Sequence, residues 1–162
     1  TMPHNRYTAI PRVLCFLRHG ERWLLIRRAP NRRLFPGLCN GVGGHVEEGE
    51  GILAAARREV MEETGLEAED LRLVGIIHER EWDHGVLVFV FTGTTTTVTD
   101  PRPSPEGIPL WLTTEEALRQ PLVPDLPQIL ARLVARRPDD PPFIARSTCD
   151  QDWHLEIEFE QG

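Results

Sequence analysis

The sequence predicts a layered α/β or α+β domain, and three observations carry that prediction. A chain of 162 residues suits a single domain over 1–162, with a core that removes roughly two-thirds of the unfolded surface from water. Short apolar runs with β-branched members recur between polar or Pro/Gly-rich turns, as mixed strands do. Only a few segments carry the i, i+3, i+4 spacing of a helix with one apolar face. Hydrophobic content of 40% and charged content of 27% exclude a disordered or collagen-like chain and make a disulfide-stapled scaffold unnecessary.

The elements follow in order. Residues 8–17 form an apolar strand, 18–21 a polar turn, and Trp23, Leu24, Leu25 and Ile26 a returning strand. Two prolines and four glycines make 30–44 a loop with close backbone approaches. The period changes to helical over 52–64, with Leu53, Ala56 and Val60 on one stripe and Gly65 as the stop. Residues 71–77 and 86–91 read as strands, and the threonine-rich run 93–99 as β-prone edge or loop. A Pro/Gly loop over 101–107 precedes a short strand, 108–112. Thr113 with Glu116 fits a capping box for a short helix. A second helix over 126–136 places Leu126, Ile129, Leu130, Leu133 and Val134 on one face, and 143–159 reads as a terminal hairpin turning near 150–152.

Twenty-five acids against eighteen bases give a net charge of −7, and every base is arginine. Such a chain disfavours a broad grip on a nucleic-acid polymer. The absence of lysine reads either as coding bias or as arginine forks serving as the phosphate-binding groups. No apolar run approaches the length of a membrane span. Residues 1–5 lack a signal-peptide core, so a cytoplasmic location is expected. Cys15, Cys39 and Cys149 lack metal spacing and read as free thiols, and His19, His45, His78, His84 and His154 as surface or loop residues.

The chemistry concentrates in 44–66, where six glutamates stand against Arg57 and Arg58, a net −4 within the −7. On a helix Glu59, Glu62 and Glu63 occupy i, i+3 and i+4, so their carboxylates share a face. Like charges so close oppose one another's ionisation unless a cation sits among them. Hard divalent cations such as Mg²⁺ take such oxygen sets together with substrate phosphates. A bare E-x-x-E-E is more often a solvated acidic face. Here the wider pattern fixes Gly44, Glu50, Arg58, Glu59, Glu62, Glu63 and Gly65 and two apolar positions.

That segment resembles the Nudix box, G-x5-E-x7-R-E-U-x-E-E-x-G-U, at every fixed position. The resemblance implies an α/β/α sandwich with a mixed sheet. It also implies Mg²⁺-dependent hydrolysis of a nucleoside diphosphate derivative, with Mn²⁺ as a substitute. It makes Glu59, Glu62 and Glu63 metal ligands, with Glu59 also a candidate base. Gly44 offers its carbonyl to a metal, while Glu50 and Arg58 brace the loop against the helix.

Similarity beyond the box points to the MutT-like branch acting on oxidised purine nucleotides, and so to a nucleoside triphosphate cleaved to monophosphate and pyrophosphate. Arg27-Arg28 looks like the end of that branch's second strand, where the second arginine reaches phosphate; alternatively Arg28 is a surface arginine beside a turn. A regular strand sends Arg27 to the opposite face. Cys39-Asn40-Gly41-Val42-Gly43-Gly44-His45 resembles W-N-G-F-G-G-K, whose asparagine reads a purine edge; a turn role is the competing reading for Asn40. Pro105-Glu106-Gly107 resembles a segment whose glutamate ligates metal, with Glu79, Glu81 and Asp83 as alternatives. Val123-Pro124-Asp125 resembles W-P-D-D but departs from it at Val123 and Leu126; Asp125 also suits a helix N-cap with Gln128.

Residues 80–84 hold neither the proline nor the tyrosine of ADP-ribose and dinucleotide hydrolases. Hydrolysis of another diphosphate derivative, or nucleotide sensing without catalysis, remain the alternatives. The partner expected is a small nucleotide, with no nucleic-acid polymer and no membrane, on a monomer or homodimer.

Overall fold

In the computed structural model, which describes residues 6–95 and 100–162, the apolar runs join one mixed sheet. Its strands are β1 (Ala9–His19), β2 (Arg22–Arg28), β3 (Cys39–Asn40), β4 (Val42–His45), β5 (Glu69–Glu81), β6 (Gly85–Thr94), β7 (Gly107–Thr113), β8 (Phe143–Cys149) and β9 (Leu155–Phe159). The helices are α1 (Ile52–Thr64), α2 (Thr114–Leu118) and α3 (Leu126–Ala135). The main path through the sheet runs β3-β2-β1-β6-β5-β8-β9. The β1–β6 and β5–β8 pairs are parallel and the others antiparallel.

One feature of β1 shapes the molecule. Its far edge pairs with β6 from Ala9 to Arg18, but its near edge is divided. Arg18 and His19 pair with β2, whereas Arg12, Val13, Leu14 and Cys15 pair with β4. The sheet forks there, β2 continuing to β7 and β4 leading into α1.

Alternation along the strands sorts two cores. Val13, Cys15, Leu17, Leu24 and Ile26 pack with Ala55, Ala56 and Val60 of α1. Phe16, Trp23 and Leu25 face Leu126, Ile129, Leu130 and Leu133 of α3. Both faces are covered, so β1 and β2 read as nearly unbroken apolar runs rather than as half-buried alternation. Each fully buried leucine or isoleucine contributes about 1.5–3 kcal/mol. The result is the expected α/β/α sandwich with a mixed sheet.

Several local readings change. The 30–44 segment is not loop throughout, because β3 and β4 take its second half. Leu53 is 44% exposed, and the buried stripe of α1 runs through Ala55, Ala56, Glu59, Val60 and Glu63 instead. Val134 is 52% exposed, since the face packed by Leu126, Ile129, Leu130 and Leu133 has turned away from it. The threonine-rich run is strand to Thr94; residues 96–99, and the 1–5 segment behind the location reading, lie outside the described residues. Thr113 caps α2 as expected, accepting from the Glu116 N–H at 3.2 Å. The 143–159 hairpin is β8 and β9. Among the described residues no helix is long and apolar enough to cross a membrane.

Candidate active site

The fork in the sheet presses Gly43 and Gly44 of β4 against α1. The Gly43 N–H donates to Glu63 Oε2 at 3.1 Å. A Cβ on Gly44 would lie 2.3 Å from Glu59 Oε1, so only a glycine lets that carboxylate approach the backbone. Gly65, with φ of 75°, ends α1 in the left-handed region one residue past Thr64. Glu59 and Glu63 lie one turn apart, 9% and 6% exposed, on the side of α1 that meets β4. Glu62 does not join them: its exposed carboxylate accepts from Arg58 Nη1 at 3.2 Å.

Arg58 acts as a bracket. Its Nε and Nη2 pair with the two oxygens of Glu50 at 2.7 and 2.9 Å. Its Nη2 also reaches the His45 carbonyl at 3.0 Å and its Nη1 reaches Glu59 Oε1 at 2.9 Å. Glu50 in turn accepts from the Glu47 N–H at 3.0 Å. The fork holds the Glu50 carboxyl down at about 2, helped by that backbone donor, and raises Arg58 itself. The loop is thus tied to the helix as expected.

Glu59 and Glu63 open into a cavity of about 340 Å³, also lined by Arg28, Arg32, Asn40, Gly44, Glu106 and Asp125. Arg28 Nε donates to the Leu34 carbonyl at 2.6 Å, while Arg27 leaves the other face of β2 to reach Gln120 at 2.7 Å. Burial and the neighbouring Arg32 lower the Arg28 pKa. Glu106 forms an ion pair with Arg32 at 2.9 Å. Burial is the first cause that raises Glu59, and burial with the charges of Glu59 and Glu106 pushes Glu63 up to about 8.

The cavity also has apolar walls from Leu14, Ile77, Val88, Val123 and Leu155. Asn40 Oδ1 accepts from the Gly41 N–H at 2.8 Å, which leaves its amide N–H groups as donors. Asp125 lines the cavity and stands at the N-cap position of α3 without capping it, because its backbone is αR rather than the extended conformation a cap needs; the capping reading is corrected. Burial pushes its carboxyl up to about 6. Glu79 and Glu81 also line the cavity, and burial together with the adjacent Glu81 carboxylate raises Glu79. Asp83 lies outside it, joined to His84 Nδ1 at 2.6 Å, with His84 Nε2 3.1 Å from Glu81. His154 likewise meets Asp150 at 2.9 Å. Ligand atoms of Glu81, Asp83 and His84, and of Asp150, Asp152 and His154, lie within 4.8 Å of one another. Sequence spacing alone did not reveal either grouping.

The structure therefore brings Arg28, Asn40, Gly44, Glu59, Glu63, Glu106 and Asp125 to one cavity, leaves Glu62 outside its lining, and sets Glu50 and Arg58 behind it. Arg12, Arg32, Cys149 and Leu155 are additions. Arg12 could have been found from its place beside Leu14 on a strand with two sorted faces, but Arg32 and the hairpin residues lie in or beyond loops. The donor set fits a hard divalent cation: buried carboxylates with raised pKa values, oxygen atoms throughout, and a glycine cradle a side chain would fill.

The described family model, NUDIX domain, matches residues 8–133. The m7GpppN-mRNA hydrolase NUDT17 of Xenopus laevis is 46% identical over 52 residues, which are 32% of this chain and 18% of that protein. The chain thus spans less than a fifth of the length of the curated relatives it matches, at 18% and 16%. The Mutator MutT protein from Bacillus halodurans superposes with a TM-score of 0.79 at 23% identity, covering 93% of this chain and 97% of that one. The MutT protein from Methanosarcina mazei Go1 gives 0.65 at 27% identity, covering 81% and 99%. With the complete box held on a MutT-like fold and the family match running from 8 to 133, the chain belongs to the Nudix family.

Proposed function

We propose that the chain is a Mg²⁺-dependent pyrophosphohydrolase that adds water to a nucleoside triphosphate and releases nucleoside monophosphate and pyrophosphate. The observation that carries this reading is the convergence of Glu59 and Glu63 with Arg28 and Arg32 on one cavity. Glu59 and Glu63, with Glu106 and the Gly44 carbonyl, would hold Mg²⁺ or Mn²⁺, and Glu62 would join them by turning from Arg58. Bound there, a divalent cation supplies neutralisation of the bridging phosphates and acidification of water. Arg28 and Arg32 offer planar forks to phosphate oxygens. Glu59 or Glu106 accepts the proton of the attacking water, and Arg58 with Glu50 keeps Glu59 aimed. The apolar walls exclude bulk water and strengthen each of these contacts.

Asn40 donors and an Asp125 acceptor lining the same cavity support binding of a base that carries a carbonyl next to N–H groups, as oxidised or ordinary guanine does. The three buried free thiols support a reducing, cytoplasmic setting. The similarity to an m7GpppN-mRNA hydrolase supports a second reading in which the leaving group is larger, as in a capped or dinucleotide substrate.

A substrate panel tests the assignment: 8-oxo-dGTP, the ordinary dNTPs, ADP-ribose, diadenosine tetraphosphate and a cap dinucleotide, with phosphate and pyrophosphate measured separately. Pyrophosphate release from a triphosphate is expected. Glu62→Gln and Glu63→Gln are each expected to lower turnover by orders of magnitude with the fold retained. Turnover like the wild type in both variants would sink the assignment.

A further inference from the structure

Two loops that line the cavity meet through Ala29 and Glu106. The Ala29 N–H donates to the Glu106 carbonyl at 2.9 Å, and the Arg32 N–H to the Ala29 carbonyl at 3.1 Å. Short main-chain bonds therefore set both Arg32 and Glu106. Arg32 Nη2 lies 2.9 Å from Glu106 Oε2, with the two side chains 38% and 34% exposed. Arg32 Nε is buried and has no acceptor. A guanidinium satisfied through one nitrogen, with another N–H desolvated and unpaired, is incompletely matched by its carboxylate partner. A fork of this kind pairs best with two oxygens at once, as a phosphate presents. Glu106 for its part lines the same cavity as Glu59 and Glu63 and acts electrostatically on both.

We infer that Arg32 exchanges partners: without phosphate it neutralises Glu106, and when substrate arrives it moves to a phosphate oxygen and leaves Glu106 to the cation. The inference rests on the proposed reading of the cavity as a cation and polyphosphate site. No bond is made or broken; one ion pair is traded for two. Cation and phosphate binding then favour each other through Arg32, and thermodynamic reciprocity makes the effect equal in both directions.

The experiment measures Mn²⁺ binding to the nucleotide-free protein by electron paramagnetic resonance, and then pyrophosphate binding in saturating Mn²⁺. Arg32→Leu is compared with Arg33→Leu, which removes the same charge from the same loop but from a side chain over Trp82 rather than on Glu106. Both are repeated with Glu106→Gln. Coupling energies of the usual size correspond to roughly 5–150-fold. Arg32→Leu is expected to tighten Mn²⁺ by about fivefold more than Arg33→Leu when Glu106 is present, and by no more than Arg33→Leu when it is not. Pyrophosphate is expected to weaken about tenfold in Arg32→Leu alone. Equal Mn²⁺ shifts for the two arginine variants, or an Arg32→Leu shift that survives Glu106→Gln, would overturn the exchange. If Glu63→Gln leaves Mn²⁺ affinity untouched, it is the cation-site reading that fails instead.

Discussion

Glu63→Gln separates what the buried acid does to the fold from what it does for the cation. Burial, with Glu59 and Glu106 nearby, pushes the Glu63 carboxyl from 4.5 to about 8. A carboxyl raised in the folded state holds its proton more tightly there than in the unfolded chain. Stability from this group is therefore complete below about 4.5 and falls as the pH rises toward about 8. At pH 8 the loss is on the order of 4 kcal/mol, since each pKa unit is worth about 1.4 kcal/mol. For a domain of this size each kcal/mol moves Tm by roughly 2–4 °C, so the Glu63 contribution is on the order of 10 °C. Glutamine removes the charge and keeps an oxygen for the Gly43 N–H. The assay is calorimetry of metal-free wild type and variant from pH 5 to 8. The two Tm values should lie close together near pH 5, with the wild type about 10 °C lower at pH 8. Added Mg²⁺ at pH 8 should recover the wild type and not the variant. Parallel pH profiles would refute the desolvation argument, and a Mg²⁺ response kept by the variant would refute its place among the ligands.

Other outcomes follow from the same geometry. Gly44→Ala puts a methyl where Glu59 Oε1 now lies, and it should abolish cation-induced stabilisation while costing about 1–3 kcal/mol by urea denaturation. Asp125→Asn should lower kcat/KM for guanine nucleotides roughly 10–100-fold, the worth of a charged hydrogen bond. Since the side chain caps nothing, its urea midpoint at pH 7 should not show the ~1 kcal/mol penalty of a lost N-cap. Arg58→Lys cannot reproduce the contacts to Glu50, Glu59, Glu62 and His45 and should lower kcat. Because Glu50 is held at about 2, the stability lost in that variant at pH 7 should shrink as the pH falls from about 4.5 toward 2.

How much of this was legible in advance depends on whether a residue's role is local. Helix α1 and its cap were readable because Gly65 and the 3.6-residue period act within one turn. The buried stripe was misread at Leu53, since composition cannot say that β4 covers the Glu59–Glu63 side. Buried glutamates look like solvent-facing ones until the backbone of Gly43 and Gly44 is placed over them. Asp125 had a local explanation as a helix cap, and only its αR backbone, which leaves the side chain without a cap hydrogen bond, removes it. Arg32 was invisible because its partner, Glu106, is brought near by the pairing of β2 with β7.

The β8–β9 hairpin has a consequence of another kind. It begins at Phe143, beyond the family match that stops at 133, yet Cys149 and Leu155 line the cavity. Its turn also sets Trp153, with φ of 62°, edge-on to Phe35 and Trp82. Part of the chamber's wall is thus encoded in a stretch of chain separate from the acids of the box. Substitutions in the hairpin can remodel what the chamber admits while every glutamate of the box stays where it is. Selection can therefore act on that part of the wall apart from the acids of the box, and a chain cut at the family boundary would lose it and expose β5 as an open sheet edge.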